Sequence, residues 1–250
     1  MEPIYRQSFT IASDQVDCFS RLKSTVLLGF IQDVSGHHSD LLGYTWEGLA
    51  QRRLFWAVVR HRVQIERLPM EGETITLETW PCPTTRVAYP RSVIAYDEAG
   101  REIFRAMTLW VLMNMDTRAM ILPGSSGVEV TGLTRRGMEL DAPASLFPAK
   151  LSCQARRSVC YTDLDKNGHM NNVRYQDWAE DLLPSAFHRD HPLKELVICY
   201  LSEAREGQAL DMAYELSDGP ELRVDVSRQG KKPGDKAERV CAIRAIYGAC

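Results

Sequence analysis

TDLDKNGHMNNVRYQDW, residues 162–178, gathers Asp163, Asp165, Asn167, His169, Asn171 and Asn172 within ten positions, and three of the chain's four asparagines fall inside it. The spacing Asp163-Leu-Asp165-Lys-Asn167-Gly168 matches the opening of a calcium-binding EF-hand loop, with oxygens at alternate positions and glycine at the sixth. The twelfth position of such a loop must supply a bidentate glutamate. Here it is Arg174, a cation, so the calcium reading is disfavoured. A turn that caps the following helix is the second reading, since Asn171 or Asn172 would accept from nearby backbone N–H groups. That reading gives no reason for His169 to stand among amides and carboxylates just ahead of a helix start. Unpaired N–H donors and a positive dipole there would stabilise a developing oxyanion, and an imidazole beside them can act as a base near neutral pH. Residue chemistry alone leaves the turn and the catalytic site both open.

Working outward, a helical stretch runs from about Asn172 to Leu183 and is stopped by Pro184. The segments ELVICYLSE, ALDMAYEL, ELRVDVSR and ERVCAIRAIY then read as strands. The same order occurs upstream. Val26/Leu27, Phe30/Ile31, Val34 and Leu41/Leu42 recur every three to four residues, which predicts a helix over 25–42 with one apolar face. In AVVRHRVQI the alternation puts Ala57, Val59, His61, Val63 and Ile65 on one strand face and Arg60, Arg62 and Gln64 on the other. ETITLETW, SVIAY and EIFRAMTLWVLM follow as further strands. Each half therefore reads as one helix followed by an antiparallel meander, and a twisted sheet wrapped around a helix satisfies the apolar face of both. The Gly-, Pro- and Ser-rich run after Asn114 reads as the connector. The expected divisions are 1–122, a connector over 123–150, and 151–250. Registering the turn Glu71-Gly72 on Glu206-Gly207 places Leu68 opposite Glu203, an apolar residue facing an acid.

At 250 residues, 44% hydrophobic and 25% charged, the composition is that of an ordinary globular protein. A net charge of −3 argues against a general nucleic-acid binder. Seven cysteines, at 18, 82, 153, 160, 199, 241 and 250, form no C-x-x-C pair and no zinc spacing, which suits a reducing, cytoplasmic setting. MEPIYRQSFTIASD lacks the apolar run of a signal peptide, and no stretch is apolar enough to insert stably in a bilayer. His37-His38 suits a metal poorly, because neighbours on a helix point about 100° apart. The basic pairs Arg52-Arg53, Arg135-Arg136, Arg156-Arg157 and Lys231-Lys232 read as solvated charge, or as patches that steer an acidic partner.

The run D-x-N-x-H-M-N-N-V-R-Y-x-x-W, Asp165 to Trp178, resembles the signature of acyl-ACP thioesterases of the plastid and bacterial type, and WVLMNMDTR, residues 110–118, is similar to the segment that closes their first domain. The resemblance covers nearly the whole chain. It implies an α+β double hot-dog, two tandem domains each with a long helix wrapped by an antiparallel sheet. It also implies hydrolysis of fatty acyl-[acyl carrier protein] to free fatty acid and holo-ACP, in fatty acid biosynthesis, with no metal and no bound cofactor. Carried over, the catalytic group is Asp165, Asn167, His169 and Glu203, the last in a strand of the second domain. His169 and Glu203 would orient and deprotonate water, Asn167 would hold the carbonyl or position His169, and Asp165 would set the loop. Plant relatives have a cysteine directly after this glutamate; here it is Ala204, which favours direct attack by water. Cys199, four residues before Glu203, reads as packing. By resemblance the first domain supplies the acyl-chain tunnel, with Leu27, Phe30, Ile31 and Val34 of the helix and Val59 and Val63 of the strand as candidate lining. The partner implied is an acyl carrier protein, and a homodimer stays open. An acyl-CoA thioesterase on the same fold and a noncatalytic acyl- or ACP-binding module are the rival readings.

Overall fold

The three-to-four spacing of apolar residues after Lys23 becomes one helix of 18 residues, α1 (Ser24–Leu41), in the computed structural model. The structure describes residues 4–130, 139–230 and 236–248. Leu27, Leu28, Ile31 and Val34 of α1 are almost completely buried. Each such side chain contributes about 1.5–3 kcal/mol relative to an exposed position. Leu41, at the end of the expected stripe, is 62% exposed, so the apolar face closes before the helix does.

The chain divides into two units, Met1–Pro143 and Ala144–Cys250. In the first, β1 (Tyr5–Thr10) precedes α1, and α2 (Trp46–Gln51), β2 (Leu54–Ile65), β3 (Thr74–Pro81), β4 (Tyr89–Tyr96) and β5 (Glu102–Asn114) follow it. A short β6 (Met120–Ile121) pairs with β5, and α3 (Pro123–Ser126) comes next. The second unit contains β7 (Cys153–Ser158), α4 (Arg174–Glu180), α5 (Ser185–Asp190), β8 (Leu193–Tyr200), β9 (Ala209–Leu216), β10 (Glu221–Arg228) and β11 (Glu238–Tyr247).

Both sheets are antiparallel and share one strand order, β1-β3-β4-β5-β2 in the first unit and β7-β9-β10-β11-β8 in the second. This corrects the plain meander. The strand after each helix crosses to the far edge and pairs with the last strand, and the strand before the helix takes the near edge. Each unit is a hot dog, and the α+β double hot-dog read from the sequence is the fold.

Three expectations change in detail. A bulge between Val58 and Arg60 leaves Val59 as an extra residue in β2, and one inserted residue reverses which face the following side chains take. Val58 is therefore buried on the side of His61, Val63 and Ile65, whereas Ala57 and Val59 pack against Ala88, Leu109 and Val111. The second helix is short. α4 spans seven residues and a turn through Leu183 separates it from α5, whose start is set by Pro184. Finally, the run read as a connector packs like core. Val128 and Val130 join Leu42, Leu49, Leu54 and Leu112, and Leu140 joins Trp80 and Met107. Beyond the division, Leu146 and Ala149 bond to Arg239 and Asp225 of the second unit. Among the described residues no helix is long and apolar enough to cross a membrane.

Candidate active site

The asparagine-rich stretch folds as a tight loop built on one carboxylate. Asp165 Oδ1 accepts from the backbone N–H of Asn167 at 2.8 Å and of His169 at 3.2 Å. The Asp165 N–H donates to the His169 carbonyl at 2.8 Å, and that of Gly168 to the Asp165 carbonyl at 3.0 Å. Gly168 has φ +74°, the left-handed conformation that closes the turn at low cost only for glycine. Met170 N–H then bonds to the Ala204 carbonyl at 2.8 Å, which ties this loop to the residue after Glu203.

That tie brings together His169 and Glu203, two of the four residues that the resemblance implied as a catalytic group. His169 Nε2 lies 3.2 Å from Glu203 Oε2. The imidazole is nearly buried, with 10% of its side chain accessible, while the carboxylate keeps 42%. One partner is therefore largely shielded from water and the other still reaches it. Glu203 is not in a strand, as the resemblance implied, because β8 ends at Tyr200 and the residue belongs to the loop that follows. Asn167 points its amide nitrogen to Asp165 Oδ2, 3.4 Å away. It thus braces the loop in this arrangement and makes no bond to His169.

The start of α4 is less open than expected. Asn171 Oδ1 accepts from Val173 N–H at 3.2 Å, the Asn171 carbonyl from Arg174 N–H at 2.9 Å, and the Val173 carbonyl from Gln176 N–H at 3.1 Å. Asn171 closes an Asx turn ahead of the helix, whose own N-cap, Val173, makes no side-chain capping bond, and three of the amides expected to meet an oxyanion are already engaged. Cys199 is 1% exposed, with its thiol 3.6 Å from the Ala144 carbonyl.

One residue that sequence reasoning missed fixes the Glu203 loop. Arg228, at the end of β10, donates to the Glu203 carbonyl, to Gln208 Oε1 at 3.4 Å, to Ser202 Oγ at 2.9 Å and twice to Glu238 Oε2 at 2.8 and 3.0 Å. A guanidinium has five N–H groups, and these five contacts use all of them. Nothing in VDVSRQG signals this, because the acceptors are backbone and side chains from three other segments.

In the first unit, Leu27, Ile31, Val34 and Val63 are at or below 1% exposure and Phe30 stacks on Phe9 at 4.1 Å. Val59 is separated from them on the other sheet face. A cavity of about 80 Å³ opens one turn further along α1, against Ser35, Gly36 and Ser39, with Trp56, Tyr89, Arg91 and Trp110 opposite. The basic pairs are mostly committed. Arg53 pairs with Asp116, Arg52 donates to the Ser126 carbonyl, Arg156 lies 3.5 Å from Asp211 and Arg157 2.9 Å from Asp181. Arg135-Arg136 and Lys231-Lys232 lie outside the described residues.

Fold and site together define a tandem hot-dog protein with a histidine–carboxylate pair, His169 and Glu203, in its second unit. Residues 2–122 match the model of the acyl-ACP thioesterase N-terminal domain and residues 149–240 that of the C-terminal domain, so the chain belongs to the acyl-ACP thioesterase family. It is similar to a chloroplastic palmitoyl-acyl carrier protein thioesterase of Gossypium hirsutum, 25% identical over 229 residues that make 86% of this chain and 55% of that one. A chloroplastic oleoyl-acyl carrier protein thioesterase of Coriandrum sativum is also 25% identical, over 83% of this chain and 61% of that one. The chain thus spans well under two thirds of the length of these curated relatives. Among solved structures, an acyl-ACP thioesterase from Bacteroides thetaiotaomicron superposes with a TM-score of 0.87 at 24% identity, over 98% of both chains. The 12:0-ACP thioesterase from Umbellularia californica gives 0.80 at 22%, over 99% of this chain and 98% of that one. At these identities the structures speak for the fold.

Proposed function

We propose that this chain hydrolyses acyl-[acyl carrier protein], releasing a free carboxylic acid and the carrier's thiol, in fatty acid biosynthesis. The observation that carries the reading is the 3.2 Å approach of His169 Nε2 to Glu203 Oε2. A thioester carbonyl is already electrophilic, so water needs a base and a place for negative charge. With Nε2–H donated to the carboxylate, Nδ1 is the basic nitrogen. Water loses a proton to Nδ1 as its oxygen bonds to the carbonyl carbon, and Glu203 stabilises the imidazolium so formed. Collapse of the tetrahedral intermediate breaks the C–S bond, and the same proton passes to the leaving sulfur. Asp165 holds the loop and Asn167 braces it. The first unit is the acyl-binding half in this reading and the second the catalytic half. The named relatives are chloroplastic; for this chain a reducing cytoplasm is the proposed setting, in keeping with six free thiols among the described cysteines.

The test is release of thiol by purified protein from matched acyl-ACP and acyl-CoA substrates over a series of chain lengths. Faster hydrolysis of the carrier-protein thioesters supports the proposal, and a preference for acyl-CoA replaces the carrier. Release from neither leaves a noncatalytic binding module.

A further inference from the structure

β4 runs YPRSVIAY, and its alternation puts Arg91 on the helix side of the sheet, two residues from Tyr89 and two from Val93. Arg91 is only 7% exposed. A buried guanidinium ordinarily has a carboxylate beside it, because desolvating the cation costs several kcal/mol. Arg91 instead donates from Nη1 to His38 Nδ1 at 2.9 Å and to Thr79 Oγ1 at 3.3 Å. A guanidinium can only donate, so His38 Nδ1 presents its lone pair and brings no negative charge. Among the described residues no acid lies within ion-pairing distance of Arg91, and its Nε and Nη2 have no protein partner.

Arg91 lines the 80 Å³ cavity, whose other large faces are Trp56, Tyr89 and Trp110. Burial draws the Arg91 pKa down to about 10, which still leaves the group charged at neutral pH. A charged planar fork in an aromatic enclosure calls for an anion with an apolar remainder, and a carboxylate matches the fork in shape and charge. Size sets the rest. A cavity of about 150 Å³ holds benzene, so this one admits a remainder of only a few carbons.

We propose that this cavity binds a short-chain carboxylate, its oxygens on Arg91 Nε and Nη2 and its carbons against Trp56, Tyr89 and Trp110. The carboxylate has two possible sources, a free short-chain acid or the carboxyl-bearing far end of an acyl chain. Only the second source rests on the thioesterase reading.

The two tryptophans supply the readout. Titration of the full chain with butyrate is expected to change their emission saturably, with butyramide, the uncharged isostere, binding about tenfold more weakly or worse. Arg91→Met, checked for folding by its thermal transition, is expected to lose the preference for butyrate. Butyrate and butyramide binding alike, or neither changing the emission, overturns the site, and this comparison needs no variant. In a second arm, acyl-ACP chains ending in carboxylate or methyl at equal length are hydrolysed by wild type and Arg91→Met. A wild-type preference for the carboxylate end that Arg91→Met lacks assigns the site to the acyl chain. Equal rates alongside butyrate binding assign it to a free acid. If no chain is hydrolysed, the thioesterase reading fails while the butyrate titration still decides the site.

Discussion

In the first unit, Asp17 Oδ1 accepts from the N–H groups of Phe19 and Arg21 at 2.8 and 2.9 Å; in the second, Asp165 Oδ1 accepts from Asn167 and His169 at 2.8 and 3.2 Å. Ser20 and Gly168 occupy the same left-handed position, at φ +59° and +74°. Leu22 N–H reaches the Pro69 carbonyl and Met170 N–H the Ala204 carbonyl, both at 2.8 Å. In this register Arg21 stands where His169 stands, Phe19 where Asn167 stands, and Leu68 where Glu203 stands. One turn has been built twice, and the aspartate at its centre does the same work in a unit that lacks the histidine and the glutamate. The turn-like aspect of the stretch is thereby separated from the proposed catalytic one: the aspartate makes the turn in both units, and the proposed chemistry requires what the second turn presents.

If that division is right, the two residues that differ carry the largest effects. His169→Ala and Glu203→Gln should each slow thiol release from acyl-ACP by about 10²–10⁴-fold, the range of a lost general base or its charge partner. The Glu203→Gln transition should stay near wild type, since that carboxylate keeps 42% of its side chain accessible, and His169→Ala, which removes a nearly buried ring, is compared at a temperature where its thermal transition shows it folded. Wild-type turnover in either variant would remove the pair from the mechanism.

Next come the shared aspartates. Asp165→Ala and Asp17→Ala each remove an acceptor from two backbone N–H groups, so both should cost about 1–3 kcal/mol of stability in denaturant titrations. Only Asp165→Ala should also lower turnover of the folded enzyme, through displacement of His169. Equal losses of activity would mean that the first turn acts on catalysis too, contrary to the separation argued above.

Arg228 sharpens the comparison from the other side of the pair, as a positioning residue for the Glu203 loop. Lysine has three donors and no planar fork, so Arg228→Lys cannot reproduce five bonds to four residues. The expected result is a fall in kcat of about tenfold with KM little changed, because remote misplacement by a fraction of an ångström suffices to slow chemistry. A change in KM alone would point to a role in substrate binding instead.

Much of this was readable in the chain itself. The α1 stripe, the tandem order of elements and the opposition of Leu68 to Glu203 all follow from local periodicity and from two Glu-Gly turns whose glycines, Gly72 and Gly207, both take positive φ. The strand swap was not readable, because β2 carries the same alternation whether it pairs with β3 or β5. Val59 was misplaced because an inserted residue shifts the face without altering composition. Arg228 gave no signal, its partners being distant in sequence. Arg91 gave one, an arginine inside the apolar run YPRSVIAY on a strand with seven buried positions out of eight.

The units also differ in how they should respond to acid. Counted back from the strand ends Ile65 and Tyr200, His61 occupies the place of Leu196. His61 is fully buried, and burial lowers its pKa from 6.5 to about 3. The unfolded chain takes up a proton near pH 6.5 and the folded one does not, so stability is complete above that pH and is lost as pH falls toward 3. By pH 5 the loss amounts to about 2 kcal/mol. Thermal transitions at pH 7 and 5 should show it, and His61→Leu should reduce the difference. No such reduction would assign the acid response elsewhere.

The smallest effect expected is that of Cys199→Ser. The thiol is sealed in the second unit, 3.6 Å from the Ala144 carbonyl, and a hydroxyl can keep that contact. Ala204 puts no thiol next to Glu203 in the chain, so water is the nucleophile in the proposed mechanism. The variant should therefore retain most of the wild-type kcat and lose about 1 kcal/mol or less of stability. A folded Cys199→Ser protein without activity would require a covalent acyl-enzyme, and with it a mechanism in which the histidine serves sulfur and the first turn's missing acid is no longer the difference that matters.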